Sequence, residues 1–209
     1  MQDQKATVFV IDDDPEVRDA LDRLLRSDGW TVQAFGAAQD FLDALPVTGA
    51  GCILLDVDMP GMNGPQLHGH LQEIDVGLPV IYLTGRCSVS IGVQAMKDGA
   101  LDFLEKPIDA DALLPAIALA VGRHRQSCEK HERLSEIHQR LDTLSPRERD
   151  VFNLVILGRL NKQIAGDLGI AEKTVKVHRG RVMSKMKVRS VAQLVHLYEQ
   201  VLSAETGTS

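Results

Sequence analysis

A chain of 209 residues has room for two modest domains or one large one, and three scattered cysteines without a CxxC spacing argue against a disulfide framework and a zinc site. No basic segment followed by an apolar stretch opens the chain, and no apolar run approaches the roughly 18 residues of a membrane span, so a soluble, unprocessed protein of the reducing cytoplasm is expected. The net charge of -6 conceals a division: residues 1–120 carry 7 Lys or Arg against 19 Asp or Glu, and residues 121–209 carry 16 against 10. Halves of opposite sign predict two domains with different partners, and only the second suits nucleic acid.

In chain order, Thr7 to Ile11 (TVFVI) reads as a buried strand that runs into Asp12, Asp13 and Asp14. Asp14 before Pro15 has the form of a helix cap with proline in the first turn, which leaves Asp12 and Asp13 without a structural duty. A helix follows to about Arg26, with Val17, Leu21, Leu24 and Leu25 on one face. Asp28 and Gly29 turn the chain into a strand at Thr31 to Phe35, and a short helix is expected over about Ala37 to Leu45. The stretch Gly51 to Gly64, GCILLDVDMPGMNG, is an apolar strand to Leu55 that stops at Asp56, followed by Asp58 and a turn through Pro60, Gly61 and Gly64. A helix near Pro65 to Ile74 and a strand at Pro79 to Leu83, ending in Thr84 and Gly85, come next. A helix near Ser88 to Asp98 and a strand at Leu101 to Leu104, ending in Glu105, Lys106 and Pro107, complete the half.

Five alternations of strand and helix predict an α/β doubly wound, five-stranded parallel sheet with right-handed crossovers. Ligands of such sheets sit at the carboxyl ends of the strands, so Asp12, Asp13, Asp56, Thr84 and Lys106 share one functional edge. A lone Asp at such a place is usually a turn former. Three crowded carboxylates, however, repel one another unless a hard cation such as Mg2+ lies among them. With one lysine and one hydroxyl beside them, they suit phosphoryl transfer to a carboxylate. Asp56 is then the nucleophile, Lys106 and the metal neutralise the phosphoryl oxygens, and Thr84 donates a hydrogen bond. No GxxxxGK[ST] loop is present to support nucleotide binding.

The motifs DDD at 12–14, DVDMPGMNG from 56, LTG at 83–85 and FLEKP at 103–107 resemble, in order and spacing, the receiver domain of two-component response regulators. The resemblance covers residues 5 to about 122. It implies that a sensor histidine kinase phosphorylates Asp56, and that Asp12, Asp13, Asp56 and the backbone carbonyl of Asp58 arrange Mg2+. It also implies that Phe103 is a rotating switch residue and that the Lys106-Pro107 peptide is cis. The receiver is expected to promote only its own phosphorylation and dephosphorylation, so the chain is not read as an enzyme. Asp58 and Arg86 are departures. An ion pair between them across the cleft mouth is expected to set the phosphoryl lifetime, against the alternative of two unrelated solvated charges. Asp56 and Asp58 also spell the DxD of aspartyl phosphatases, but Pro60 stands where that family favours Thr or Val.

From Ala110 the pattern is helical, with Leu113, Leu114, Ile117 and Val121 apolar. Leu134, Ile137, Leu141 and Leu144 then follow at spacings of 3, 4 and 3, so residues 123–142 read as a helical connector between domains at 1–122 and 143–209. His124, His131 and His138 read as solvated. Ser145-Pro146-Arg147-Glu148 is a capping box that opens a helix burying Val151, Leu154, Val155 and Leu157 and ending at Gly158. Asn161 is expected to cap a short helix to Leu168, ended by Gly169. A third helix runs from Glu172 to about Lys187, with Val175, Val182, Met183 and Met186 packing. Ser190 with Gln193 opens a fourth, Val191 to Val201.

Short helices, a glycine-marked turn and a basic third helix form a helix-turn-helix pattern, making the second domain an all-α four-helix module whose third helix enters the major groove. LSPRERDVFNLVILGRLNKQIAGDLGIAEKTVKVH is similar to the LuxR-type helix-turn-helix of the FixJ and NarL groups, over residues 143 to about 200. By that resemblance Lys162, Lys173, Thr174, Lys176, Val177, Arg181 and Lys185 face DNA, and the fourth helix makes the dimer contact. Ala171 stands where the family usually has a Ser cap, a loss of about 0.5 to 2 kcal/mol. Gly180 stands where NarL-like relatives often carry a base-contacting side chain, and costs about 1 kcal/mol relative to alanine. The combined expectation is a phosphorylation-activated regulator that binds promoter DNA as a homodimer, with RNA polymerase as a further partner and no membrane. The alternative is constitutive DNA binding with the receiver used only for docking.

Overall fold

A computed structural model describes residues 6–85 and 99–206. Strands form where apolar runs lie between turn residues: β1 (Thr7–Ile11), β2 (Thr31–Phe35), β3 (Gly51–Asp56), β4 (Val80–Thr84) and β5 (Asp102–Glu105). They make one parallel sheet in the order β2-β1-β3-β4-β5. Among the described residues there are eight helices: α1 (Pro15–Ser27), α2 (Ala38–Asp43), α3 (Gly64–Glu73), α4 (Ala110–Asp142), α5 (Pro146–Ile156), α6 (Asn161–Leu168), α7 (Glu172–Lys185) and α8 (Val191–Thr206). The chain divides into two compact units, Met1–Cys128 and Glu129–Ser209. No helix is long and apolar enough to cross a membrane among the described residues.

Strand alternation sorts the first unit into two cores. Val8, Val10, Cys52, Leu54, Ile81 and Leu83 pack with Leu21, Leu25, Leu113 and Ile117. Phe9, Ile11, Ile53, Leu55, Val80 and Tyr82 pack with Phe41, Leu67 and Leu71. Every residue of β3 is buried, as a central strand covered on both faces requires. Register then sets the functional edge. Ile11 pairs with Leu55, so Asp12 and Asp56 leave their strands side by side. Thr84 pairs with Glu105, which brings Lys106 next to it.

The expected strands and helices are present within one or two residues at most ends. The helix read at Ser88 to Asp98 lies outside the described residues. His124 is a correction: it is buried, and its Nδ1 accepts the Gly51 N–H at 3.0 Å, while Nε2 lies 3.5 Å from Cys128 Sγ. It continues the buried stripe of Leu113, Ile117, Ala120 and Val121 by one more turn, despite the arginines on either side, and burial pulls its pKa down.

The second unit has its own core, in which Ile137 and Leu141 from the end of α4 join Val151, Phe152, Val155, Ile164, Val175, Val182, Met186, Leu194 and Val201. Leu157, expected inside, is 73% exposed because it caps α5 beyond the last helical turn; Phe152 is buried instead, with its ring edge-on to Tyr198 at 5.4 Å. The capping box of α5 forms in both directions, with Glu148 N–H donating to Ser145 Oγ at 3.3 Å and Ser145 N–H to Glu148 Oε2 at 2.9 Å. Asn161 is not the cap of α6. Leu160 is, and its N–H donates to Gln163 Oε1 at 2.8 Å. Gly169 closes α6 in the left-handed conformation with φ 65, where a Cβ would be strained. Ala171 caps α7 with no side-chain hydrogen bond.

Candidate functional site

Oxygens of Asp12, Asp13 and Asp56 lie within 4.8 Å of one another at the carboxyl edge of the sheet. Asp12 and Asp56 are buried there and Asp13 is exposed. The loop that presents the first two is fixed by its own sequence: Asp14 N–H donates to Asp12 Oδ1 at 3.0 Å, and Asp14 Oδ1 in turn accepts from Glu16 N–H at 2.8 Å, capping α1. Arg18, one turn into α1, adds a bond from Nη1 to the Asp12 carbonyl at 2.6 Å. On the Asp56 side, the turn after β3 folds back so closely that a Cβ on Gly64 would collide with the Asp56 carbonyl oxygen. Only glycine fits there.

Lys106 Nζ lies 2.6 Å from Asp12 Oδ2 and 3.3 Å from Asp56 Oδ1. Lys106 is thus the cation that faces Asp12 Oδ2, inside the protein, and it is shared with Asp56. Burial and then the charge of Asp12 raise the pKa of Asp56, opposed by Lys106 and the Asp58 N–H. Burial works against the charge on Lys106, but pairing with Asp12 and Asp56 outweighs it and its pKa is raised. One lysine therefore leaves the three carboxylates undercompensated. The cluster of three carboxylates, an all-oxygen donor set, fits a hard divalent cation such as Mg2+.

Thr84 is fully buried at the end of β4, and its carbonyl accepts the Lys106 N–H at 2.7 Å. The Lys106-Pro107 peptide is cis. Phe103 is partly buried against the core face that holds Tyr82. Asp58 is exposed at the mouth, and Arg86 lies outside the described residues. Nothing in local sequence announces Arg18, which occupies α1 as Arg23 and Arg26 do; its position six residues beyond Asp12 becomes meaningful only once β1 and α1 are folded together.

In the second unit Lys173, Thr174, Lys176, Val177 and Arg181 are exposed on α7, and Lys162 is exposed on α6. Lys185 does not join them. Its Nζ is 2.6 Å from Glu148 Oε2 and 2.7 Å from the Thr143 carbonyl, so the ammonium is drawn off the reading surface onto a buried carboxylate. Hydrogen bonds from Lys185, and then from the Ser145 N–H, hold the Glu148 carboxyl at about 2. Lys176 is only loosely paired with Glu172, at 3.8 Å and in the open. A Cβ on Gly180 would meet nothing within 4 Å, so the missing side chain leaves open surface. Arg179 Nη1 donates to Asn161 Oδ1 at 2.7 Å, which accounts for the loss of Asn161 as a cap.

Residues 8–118 match the family model of the response regulator receiver domain, and residues 142–198 that of the bacterial regulatory proteins of the luxR family. The chain is 42% identical over 195 residues to nodulation protein W of Bradyrhizobium diazoefficiens, covering 93% of this chain and 86% of that protein. It is 41% identical to the transcriptional regulatory protein FixJ of the same organism, covering 92% and 94%. Among solved structures, response regulator StyR aligns with a TM-score of 0.88 at 45% identity, covering 94% of this chain and 99% of that one.

Proposed function

Because the chain belongs to the response regulators that join a receiver domain to a LuxR-type DNA-binding domain, we propose that a cognate sensor histidine kinase phosphorylates it on Asp56 and that it then binds promoter DNA as a dimer to regulate transcription. The single observation that carries this reading is the cluster of Asp12, Asp13 and Asp56 with Lys106 Nζ 3.3 Å from Asp56 Oδ1. An Asp56 oxygen attacks phosphorus as the bond to the kinase histidine breaks, and the histidine nitrogen keeps the electron pair. The raised pKa of Asp56 makes it the more basic nucleophile, and Lys106 faces the charge that arrives. Asp12, Asp13, Asp56 and the Asp58 backbone carbonyl would hold Mg2+, which supplies charge neutralisation for the phosphoryl oxygens.

Thr84 and Phe103 then relay the event. The Thr84 hydroxyl turns to the phosphoryl group, Phe103 moves inward, and the surface of β5 and α4 becomes able to dimerise. The receiver catalyses no reaction beyond its own phosphorylation and dephosphorylation. The protein works in the cytoplasm, with RNA polymerase as a further partner.

The test is intact mass and sedimentation velocity with Mg2+ and a small phosphodonor, beside Asp56→Asn. Wild type is expected to gain one acid-labile phosphate and become dimeric, and the variant to do neither. No phosphate on wild type, with DNA binding intact, would overturn the phosphorylation switch in favour of constitutive binding.

A further inference from the structure

We propose that Arg179 clamps a backbone phosphate of the bound duplex and that Asn161 aims it there. The inference rests on the DNA-binding reading above and adds a contact to it. Val175 and Val182 form the buried stripe of α7, continued by Met186 at its C-cap. Arg179 lies four residues after the first of these and three before the second, so it emerges on the buried side of α7, opposite the exposed face of Lys173, Val177 and Arg181. It reaches sideways instead, to the first residue of α6, where Nη1 donates to Asn161 Oδ1 at 2.7 Å.

The chemistry of that partner is the argument. Lys185 is neutralised by Glu148 at 2.6 Å, and Lys176 partly by Glu172 at 3.8 Å. Arg179 has no carboxylate within ion-pair distance among the described residues, and its anchor is an amide. A carboxylate at the first position of a helix would gain from the helix dipole and would cancel the guanidinium charge. Asparagine gives up that gain, orients the guanidinium and leaves its charge whole. Arg179 is half-buried and uses one donor on Asn161, so its guanidinium keeps further N–H groups for the two-pronged contact that phosphate accepts.

Its place in the fold says which part of DNA it meets. In a helix-turn-helix the second helix lies in the major groove and the first crosses the sugar-phosphate backbone. A guanidinium tethered between α7 and the start of α6, beside exposed Lys162, is therefore at the backbone and not at base edges. Such a contact fixes docking angle and carries no sequence information.

The experiment is fluorescence anisotropy of the full-length chain, phosphorylated with Mg2+ and a small phosphodonor, on a labelled duplex of mixed sequence, across a range of salt. Arg179→Ala is expected to weaken binding about 10-fold at low salt and to flatten the log-log salt slope by about 0.9, the value for one lost phosphate contact. Asn161→Asp is expected to do the same with Arg179 still present. Asn161→Ala and Arg179→Lys keep the charge, so each should retain the wild-type slope and lose about 3-fold in affinity. A brace between helices would lower affinity in Arg179→Ala without moving the slope, and Asn161→Asp would then bind like wild type; either result overturns the proposal. Far-UV circular dichroism checks folding, and Asn161→Asp decides the matter if Arg179→Ala fails to fold. Wild type that ignores the duplex at every salt concentration defeats the DNA-binding reading itself, a different outcome from variants that match a binding wild type.

Discussion

Asp56 is a carboxyl group in surroundings that resist its ionisation. Its raised folded-state pKa means that the native protein takes up the proton more readily than the unfolded chain, so ionising it costs stability. Asp56→Asn keeps the shape and removes the charge. In metal-free buffer at neutral pH the variant is expected to be more stable than wild type by about 1 kcal/mol in urea denaturation. The difference should shrink as pH falls through the Asp56 pKa and wild type itself becomes neutral. Mg2+ should stabilise wild type and leave the variant almost unmoved. A variant less stable than metal-free wild type would show that the carboxylate is not strained. Asp12, Asp13, Asp56, Thr84 and Lys106 were all legible in the sequence, because each follows an apolar run and parallel topology gathers such ends. Arg18 was not, because its partner is a backbone carbonyl and carbonyls leave no mark on a sequence.

Helices show where local chemistry suffices and where it does not. The start of α5 could be read from four residues, since Ser145 and Glu148 satisfy each other across one turn. The start of α6 was misread, because Asn161 has the right chemistry for a cap and spends it on Arg179, 18 residues away. The same holds for Glu148, whose second partner, Lys185, lies 37 residues off. That pair ties α5 to the end of α7, and its stability is pH-dependent with a definite sign. Glu148 titrates near 4.5 unfolded and about 2 folded, so its contribution is complete above about pH 4.5 and is lost as pH falls toward 2. Glu148→Gln is expected to cost roughly 2 kcal/mol at neutral pH, the scale of a charged hydrogen bond, and to flatten the acid dependence in that window. Lys185→Met should cost more, because it strands the carboxylate without its cation. Chemical denaturation followed by far-UV circular dichroism at stepped pH checks both; an acid profile unchanged by Glu148→Gln would contradict the assignment.

At the scale of the molecule, charge and packing divide the chain at nearly the same place. The acidic first half contributes the cluster of Asp12, Asp13 and Asp56, and the basic second half contributes the exposed Lys162, Lys173, Lys176 and Arg181. No residue of the three buried clusters is shared between units: the first two draw on residues 6–121 and the third on residues 137–201. Composition made that division legible, since charge sums need no fold. His124 was beyond it, because a basic flanking sequence and a buried stripe coincide there and only the Gly51 N–H tells them apart. Separate cores predict separate cooperative transitions, although α4 is shared by both units. Calorimetry of the whole chain is therefore expected to resolve two transitions. A saturating divalent cation should raise only the midpoint of the receiver transition, by RT ln(1 + [L]/Kd), and duplex DNA only that of the other. Glu148→Gln should lower the DNA-responsive transition and leave the metal-responsive one in place. A single transition moved by both ligands would mean instead that the two cores unfold as one cooperative unit.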